Sequence, residues 1–463
     1  MSPAFSTLSP ELLVCILQWL SSPKDLCSAL GATSQFYRIF TTYRRSILSA
    51  VLLRAIPPQV DADFLLAYRA QRIWDFALER QHDNHLTRIP RRDYGKKLET
   101  LSQETTAILK AAESGKSEEL HNFVSDSESL TKLWGFYQKF EDLITLYAKK
   151  ALSNLQQTSG ASNDTPESLR LSSDEKVRLQ RAFFRWEVYT CLFQISQVTH
   201  HDDRHPAPSD DPAPVYATIF QPWEIEEICC ICQFSRTLIE EVCDELEEDF
   251  VTTVKAKEAA YHPPSEPDVI ERDLSSNLDY YCLWWYDESF KRCDRAKHVA
   301  YLVARGMLSM WKLKHAPFQT VRRMIVRSQF EHKDRISIIQ GLEELCYEEY
   351  EIDESSEDCN LGWQWAVTVT EGWGPYAPAN YALRNQGYVF WDQARLEREK
   401  QFQSPRCPIK SLYEFPPGYQ AHERLPGVET KLKDLQVRSE VIKEIADEVG
   451  GIDDGTDVID WRN

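Results

Sequence analysis

Three clusters of residues carry side chains that could do chemistry, and each sets a requirement the chain does not meet. Gly115-Lys116-Ser117 has the ending of a phosphate-binding loop, in which backbone amides and a lysine cradle a nucleotide's phosphates. The glycine that such a loop needs five residues before Gly115 is Lys110, and no buried strand pattern precedes it. Cys229, Cys230 and Cys232 contain a C-x-x-C pair, but they sit in the apolar run Ile228–Phe234 with no second pair of ligands at zinc spacing. That run reads as a core helix. His200, His201 and His205 stand among Asp202, Asp203, Asp210 and Asp211, yet a proline-rich stretch offers no fixed coordination geometry. No nucleophile elbow, H-E-x-x-H pair, kinase signature or dinucleotide fingerprint occurs. The expectation is therefore no catalytic residue, no metal and no cofactor.

Chemistry of another kind, association through large apolar side chains, is better represented. Trp284 and Trp285 read as core at helical spacing. The aromatic segment Trp363–Trp391 reads either as core or as a contact surface for a target protein, and Trp373, Tyr376 and Tyr388 are the candidate target-binding residues, expected to be partly exposed.

The elements that must position these groups follow from composition and punctuation. At 463 residues, with 42% apolar and 27% charged residues and only 16 glycines, the chain is expected to be mainly α, with two to four domains or one large helical array. A net charge of −19 argues against nucleic acid or an anionic membrane as partner. The N-terminus runs the other way. Lys24, Arg38, Arg44, Arg45 and Arg54 face only Glu11 and Asp25, so residues 1–56 carry +3 and suit an acidic partner. The 12 cysteines are scattered through apolar helical stretches and are expected to be reduced, in an intracellular protein of the cytoplasm and/or nucleus. No apolar run approaches the ~18 residues of a membrane span, and no basic residue precedes the apolar run Leu12–Leu20 as it would in a secretory signal.

Ser9-Pro10-Glu11 is a strong helix start, joining a capping hydroxyl, a first-turn proline and a carboxylate at the positive end of the helix dipole. The helix is expected to run to about Leu20, with Leu13, Ile16, Leu17 and Leu20 on one stripe and Leu12, Cys15 and Trp19 on another. Ser22-Pro23-Lys24-Asp25 repeats the signal, and Gly31 is expected to stop the second helix in a left-handed conformation. A third helix carries Phe36, Ile39, Phe40 and Tyr43. Three such helices enclose too small a core to be comfortable alone, so the surplus apolar face is expected to dock on a partner or on the following helices.

Order and spacing here resemble the F-box: Leu8-Ser9-Pro10-Glu11-Leu12-Leu13, Ile16-Leu17, Leu20, Pro23-Lys24-Asp25-Leu26, then Phe36 and Phe40. The chain departs from the family in Leu-Ser-Pro, where Leu-Pro is commoner, and in Ala32-Thr33, where a valine is commoner. The resemblance covers about a tenth of the chain. It implies insertion against a Skp-family adaptor, and through it a cullin, by Leu8, Pro10, Leu12, Leu13, Ile16, Leu17, Leu20, Asp25, Leu26 and Phe36. A second likeness, Leu383-Arg384-Asn385-Gln386-Gly387-Tyr388-Val389-Phe390-Trp391-Asp392, is to the C-terminal region of a broad group of fungal F-box proteins.

The expected organisation is an F-box over 5–50, then a large irregular helical body over 57–345 with linkers near 156–173, 200–214 and 256–275. A strand-and-turn, Trp-rich segment over 359–424 and an acidic amphipathic tail over 425–463 follow. Within the body, helices are expected at 61–81, 95–113, 127–155 and 222–254, and Ser172 with Glu175 fits a capping box. The strand expectation rests on Trp363, Trp365, Val367 and Val369 alternating with period two. The function implied is a non-catalytic receptor that brings an unknown protein substrate to a Skp-cullin-F-box ubiquitin ligase. The alternatives are an F-box scaffold or regulator outside ubiquitination and a helical ligand-binding domain.

Overall fold

Each N-terminal helix begins where a hydroxyl or a proline deals with its first amides. The computed structural model describes residues 8–72, 120, 124, 127–159, 170–199, 219–260, 293–328, 360–369 and 381–398. Helix α1, Pro10–Gln18, opens on Pro10 and closes two residues short of Leu20, with Trp19 as its C-cap. In α2, Pro23–Ala32, the Ser22 hydroxyl accepts from the Asp25 amide at 3.1 Å and donates to its carboxylate at 2.8 Å. The expected left-handed stop at Gly31 is corrected: Gly31 lies inside α2. The break comes at extended Thr33 (φ −148°, ψ 143°), whose hydroxyl accepts from the Phe36 amide at 3.1 Å and so starts α3, Ser34–Ala55. One capping side chain at the junction does what the glycine was expected to do.

Helix α3 serves two cores. It is interrupted once, at Tyr43 (φ −112°, ψ 25°). Before that point Phe36 is buried, in the same three-helix module as Leu13, Leu17 and Leu26; beyond it Ile47, Leu48, Val51 and Leu52 are buried. Its last carbonyl, of Ala55, accepts from Gln180 Nε2 at 3.1 Å and lies 3.2 Å from the Tyr137 hydroxyl. Burial, and then the Glu141 carboxylate beside it, push the Tyr137 phenol far above its ordinary range.

The next helical stretch, 61–72, is described to residue 72, and the rest of the helix expected to residue 81 lies outside the described residues, as does the one expected at 95–113. It packs with α4, Ser127–Ser159, and α5, Ser173–Thr199, through aromatic edges. Phe64 meets Phe136 at 5.7 Å and Phe184 at 5.3 Å, and Phe140 meets Phe184 at 5.3 Å. Such rings contribute roughly 0.5–1.5 kcal/mol per pair beyond the area they bury. The capping box before α5 is formed: the Ser172 hydroxyl accepts from the Glu175 amide at 3.1 Å, and Glu175 accepts from the Ser172 amide at 2.9 Å. Helix α6, Pro222–Ala260, overruns the expected linker start near 256.

The described residues fall into two compact units, one within Met1–Ile228 and Val389–Gln401, the other within Cys229–Tyr388 and Phe402–Asn463. In the second, Cys229, Cys230 and Cys232 are buried and stand outside any disulfide. Helices α7, Cys293–Val303, α8, Gly306–His315, and α9, Phe318–Ser328, bury Leu302, Met307, Met310 and Met324. Gly306 opens α8 at φ 82°, a conformation that favours glycine. Trp284 and Trp285 lie outside the described residues.

The expected strand at 363–369 is corrected. Leu361–Val369 is a helix, α10, started by Asn360, whose side-chain oxygen accepts from the Trp363 amide at 3.0 Å. Trp363 and Ala366, three apart, are the buried pair, so the operative period is helical and the alternation of large residues incidental. Further on come α11, Tyr381–Gln386, a single 3₁₀ turn, Tyr388–Phe390, and α12, Gln393–Arg398. The chain is mainly α, and no strand occurs among the described residues. A Cβ on Gly362 would stand 2.3 Å from the Tyr388 carbonyl oxygen. Gly362→Ala is therefore expected to lower stability by about 1–3 kcal/mol, the usual penalty of overpacking; an unchanged denaturation midpoint would mean that the two backbones part freely.

Candidate functional site

Helix α1 has two faces because its apolar residues outnumber what one face can bury. Leu13 and Leu17 point inward and are fully buried. Leu12, Ile16 and Trp19, spaced by four and three, stand on the other side with 53%, 36% and 75% of their surface exposed, and Cys15 beside them is exposed as well. A stripe of leucine, isoleucine and tryptophan about two turns long and open to water is a candidate recognition surface, since a chain of this size has ample interior to hide three side chains. Tyr37 near the start of α3 and Tyr43 at its break, 61% and 42% exposed, add further aromatic surface to the same three-helix module.

The tryptophan is held in place. Arg54, near the end of α3, donates to the Gln18 carbonyl and, at 3.3 Å, to the Leu20 carbonyl, and its guanidinium lies 4.9 Å from the centre of the Trp19 ring. One cation thus satisfies the open carbonyl end of α1 and stacks on the most exposed side chain of the stripe. Gln18 donates to the Ser46 hydroxyl at 2.6 Å, a second tie between the two helices. All five basic residues of the segment, Lys24, Arg38, Arg44, Arg45 and Arg54, are exposed. The module therefore presents an apolar stripe, with Arg54 on its tryptophan, and an excess of exposed basic residues over the exposed Glu11 and Asp25.

The ten residues read from the sequence as one contact set separate by burial. Leu12 and Ile16 are exposed, as are Pro10 and Asp25, while Leu8 and Leu20 are half-buried. Leu13, Leu17, Leu26 and Phe36 form the module's own interior. Ile16, expected on one stripe with Leu13, Leu17 and Leu20, is exposed with Leu12 and Trp19 instead. Trp19, read on one stripe with Leu12 but not among the ten contact residues, is the most exposed side chain of that stripe, and its seven-residue spacing from Leu12 is the available signal. Tyr37 had no such signal, being next to the buried Phe36.

Of the candidate target-binding residues, Tyr388 is corrected: it is fully buried, within the short 3₁₀ turn that the Gly362 backbone approaches. Trp373 and Tyr376 lie outside the described residues, as do Lys110, Gly115–Ser117 and the histidines of 200–205. Among the described residues there is no group of three or more His, Cys, Asp or Glu placed to hold a metal, and no helix long and apolar enough to cross a membrane.

A second concentration of charge lies inside the first unit. Arg185 donates to Asp63 at 3.0 Å and to Glu224 at 2.7 Å and stacks 4.1 Å from the Phe220 ring, while Arg181 forks onto Glu227 at 2.7 and 3.1 Å. Burial pushes Glu227 upward and, although Arg181 opposes it, holds the carboxyl above the usual carboxylate range. For Glu224 burial acts in the same sense but is outweighed by Arg185 and Arg181, which hold it below that range. This network joins the helical stretch 61–72, α5 and the start of α6, and it is saturated with partners, which marks it as structural cement.

No family model, curated protein or solved structure matches the chain.

Proposed function

We propose that the chain is a non-catalytic substrate-recognition subunit of a Skp-cullin-F-box ubiquitin ligase, with α1 as the helix that docks on a Skp-family adaptor. The observation that carries this reading is the outward stripe Leu12, Ile16 and Trp19 on the first of three helices whose order and spacing resemble the F-box. The excess of basic residues over residues 1–56 favours an acidic partner and speeds its encounter. Such a subunit needs no catalytic group. Holding a target's lysines near the conjugating enzyme raises their effective concentration, and proximity alone then supplies the acceleration.

The direct test is titration of the purified chain with a purified Skp-family adaptor, followed by co-purification with a cullin. A saturable one-to-one complex that carries the cullin along supports the receptor; a complex without cullin would favour a scaffold acting outside ubiquitination, and no complex would end both readings. Deleting residues 1–50 is the wrong control. Ile47 and Leu48 are buried and Ser49 donates to the Val124 carbonyl at 3.4 Å, so that deletion would open the body.

A further inference from the structure

The stretch Val389–Arg398 belongs to the first unit, although the residues before it, from Cys229 to Tyr388, belong to the second. It holds the last two residues of the 3₁₀ turn and the six of α12, far below the length at which a helix persists unaided. Its order comes from the surface it sits on. Val389, Phe390, Trp391 and Leu396 are buried there, and the Phe390 ring meets Tyr147 of α4 edge-on at 5.5 Å.

The surface, by contrast, is made by local contacts. The capping box fixes the Glu175 carboxylate at the start of α5, independently of the segment. That carboxylate then accepts from the Asp392 amide at 3.1 Å and from two nitrogens of Arg395, each at 2.7 Å. Arg178, one turn along, donates twice to the Phe390 carbonyl, at 2.9 and 2.8 Å, and pairs with Asp392 at 2.5 Å. The Ser172 hydroxyl bonds to the Asp392 carboxylate, and the Arg170 carbonyl accepts from Arg395 at 2.5 Å. An anion and a cation one turn apart on a preformed helix thus read a cation and an anion three residues apart on a segment with no stability of its own. That is the relation of a recognition domain to a linear motif.

We propose that this face of α4 and α5 is a peptide-recognition site, filled in this structure by the chain's own Val389–Arg398, and that its partner in trans is a protein segment of the same chemistry: an aromatic pair, an aspartate directly after it and an arginine three residues later. The outer anchors are open to exchange, since Arg178 and Asp392 keep 21% and 35% of their side chains exposed. The resident segment acts as a built-in competitor, because a tethered ligand is present at an effective concentration of order mM. A partner motif binds appreciably only when the resident one is loosened. This inference stands apart from the adaptor reading, since it uses no residue of α1 to α3.

The test uses the full chain and a fluorescent synthetic peptide with the sequence Gly387–Arg398. Arg395→Glu sets like charges together in the resident segment, and the variant is expected to bind the peptide at least about tenfold more tightly than the unaltered chain does, the tether no longer competing. The same peptide carrying Arg395→Glu should not bind. Adding Arg178→Glu to the chain should abolish binding of the natural peptide and restore it for a peptide carrying Asp392→Arg. A folded Arg395→Glu chain that ignores the peptide at mM concentration would overturn the proposal. So would collapse of the fold in both Arg395→Glu and the milder Asp392→Asn, which would make the segment an integral element. Discrete dimers of the loosened chain would make the occupant a second copy and exclude a separate partner.

Discussion

Replacing Arg185 by alanine is expected to lower the stability of the first unit by about 3–5 kcal/mol, because it leaves buried carboxylates without their counter-charge. Asp63 and Glu224 are 14% and 15% exposed, and Glu227 is fully buried, so two guanidiniums balance three carboxylates. Removing one of them strands Asp63 outright and leaves Glu224 and Glu227 to share Arg181. Thermal unfolding should fall by roughly 6–20 °C. The sign of the pH dependence follows from Glu224, which is held below the usual carboxylate range in the folded chain. Its contribution is present above the ordinary carboxylate pKa and is lost as the pH falls through the depressed folded value. The deficit of the variant should therefore be largest near neutral pH and shrink on acidification. A loss under about 1 kcal/mol at neutral pH would mean that water screens the network as it does a surface pair.

The second large effect is on binding. Changing Leu12, Ile16 and Trp19 together to alanine is expected to weaken adaptor binding by at least about 100-fold, since truncation of a central apolar anchor costs on the order of 1–2 kcal/mol or more. The same triple change should leave the denaturation midpoint nearly unmoved, because these side chains are exposed in the free chain. The pairing of outcomes is what makes the result interpretable. Leu17→Ala would cost about 2–5 kcal/mol of folding energy by opening a cavity, so its loss of binding would say nothing about the interface. A double change of Leu12 and Leu13 mixes the two effects in one variant. Retention of wild-type affinity by the triple variant would remove α1 as the docking helix.

What could be read from the sequence was what is settled within one turn of chain. Ser22-Pro23 and the Ser172–Glu175 box start helices by the capping chemistry read there, whereas at Ser9-Pro10 the helix starts on the proline and the Ser9 hydroxyl caps no amide. Over residues 182–191, α5 is buried nearly all round, with Phe183, Phe184, Trp186 and Tyr189 in the core. Errors arose where two local signals compete. Gly31 looked like a stop, but Thr33 two residues on offered the cap that decided the boundary; Trp363 to Val369 alternated like a strand, but Asn360 capped a helix. The second function of Glu175 had no local trace. Its partner Arg395 is 220 residues away, and no spacing rule connects charges that meet only through the tertiary fold. The exposure of Trp19 and the burial of Tyr388 belong to the same class, since a pattern of types does not say which apolar face finds a neighbour.

The shared helix α3 has a mechanical consequence. Its first turns belong to the three-helix module, its last turns are buried in the body, and between them stands only the single non-helical residue Tyr43, with no glycine or proline to act as a swivel. The carbonyl that ends it is clamped by Tyr137 and Gln180. Whatever grips α1 therefore grips the first unit as a handle grips a tool: the two turn together, and the arc swept by anything bound to that unit is set by the stiffness of one kinked rod. A protein mounted on such an arm reaches few positions and returns to them often, and lengthening the rod by one turn would displace its far end by about 5.4 Å and rotate it, a change that no loosening of a linker could mimic.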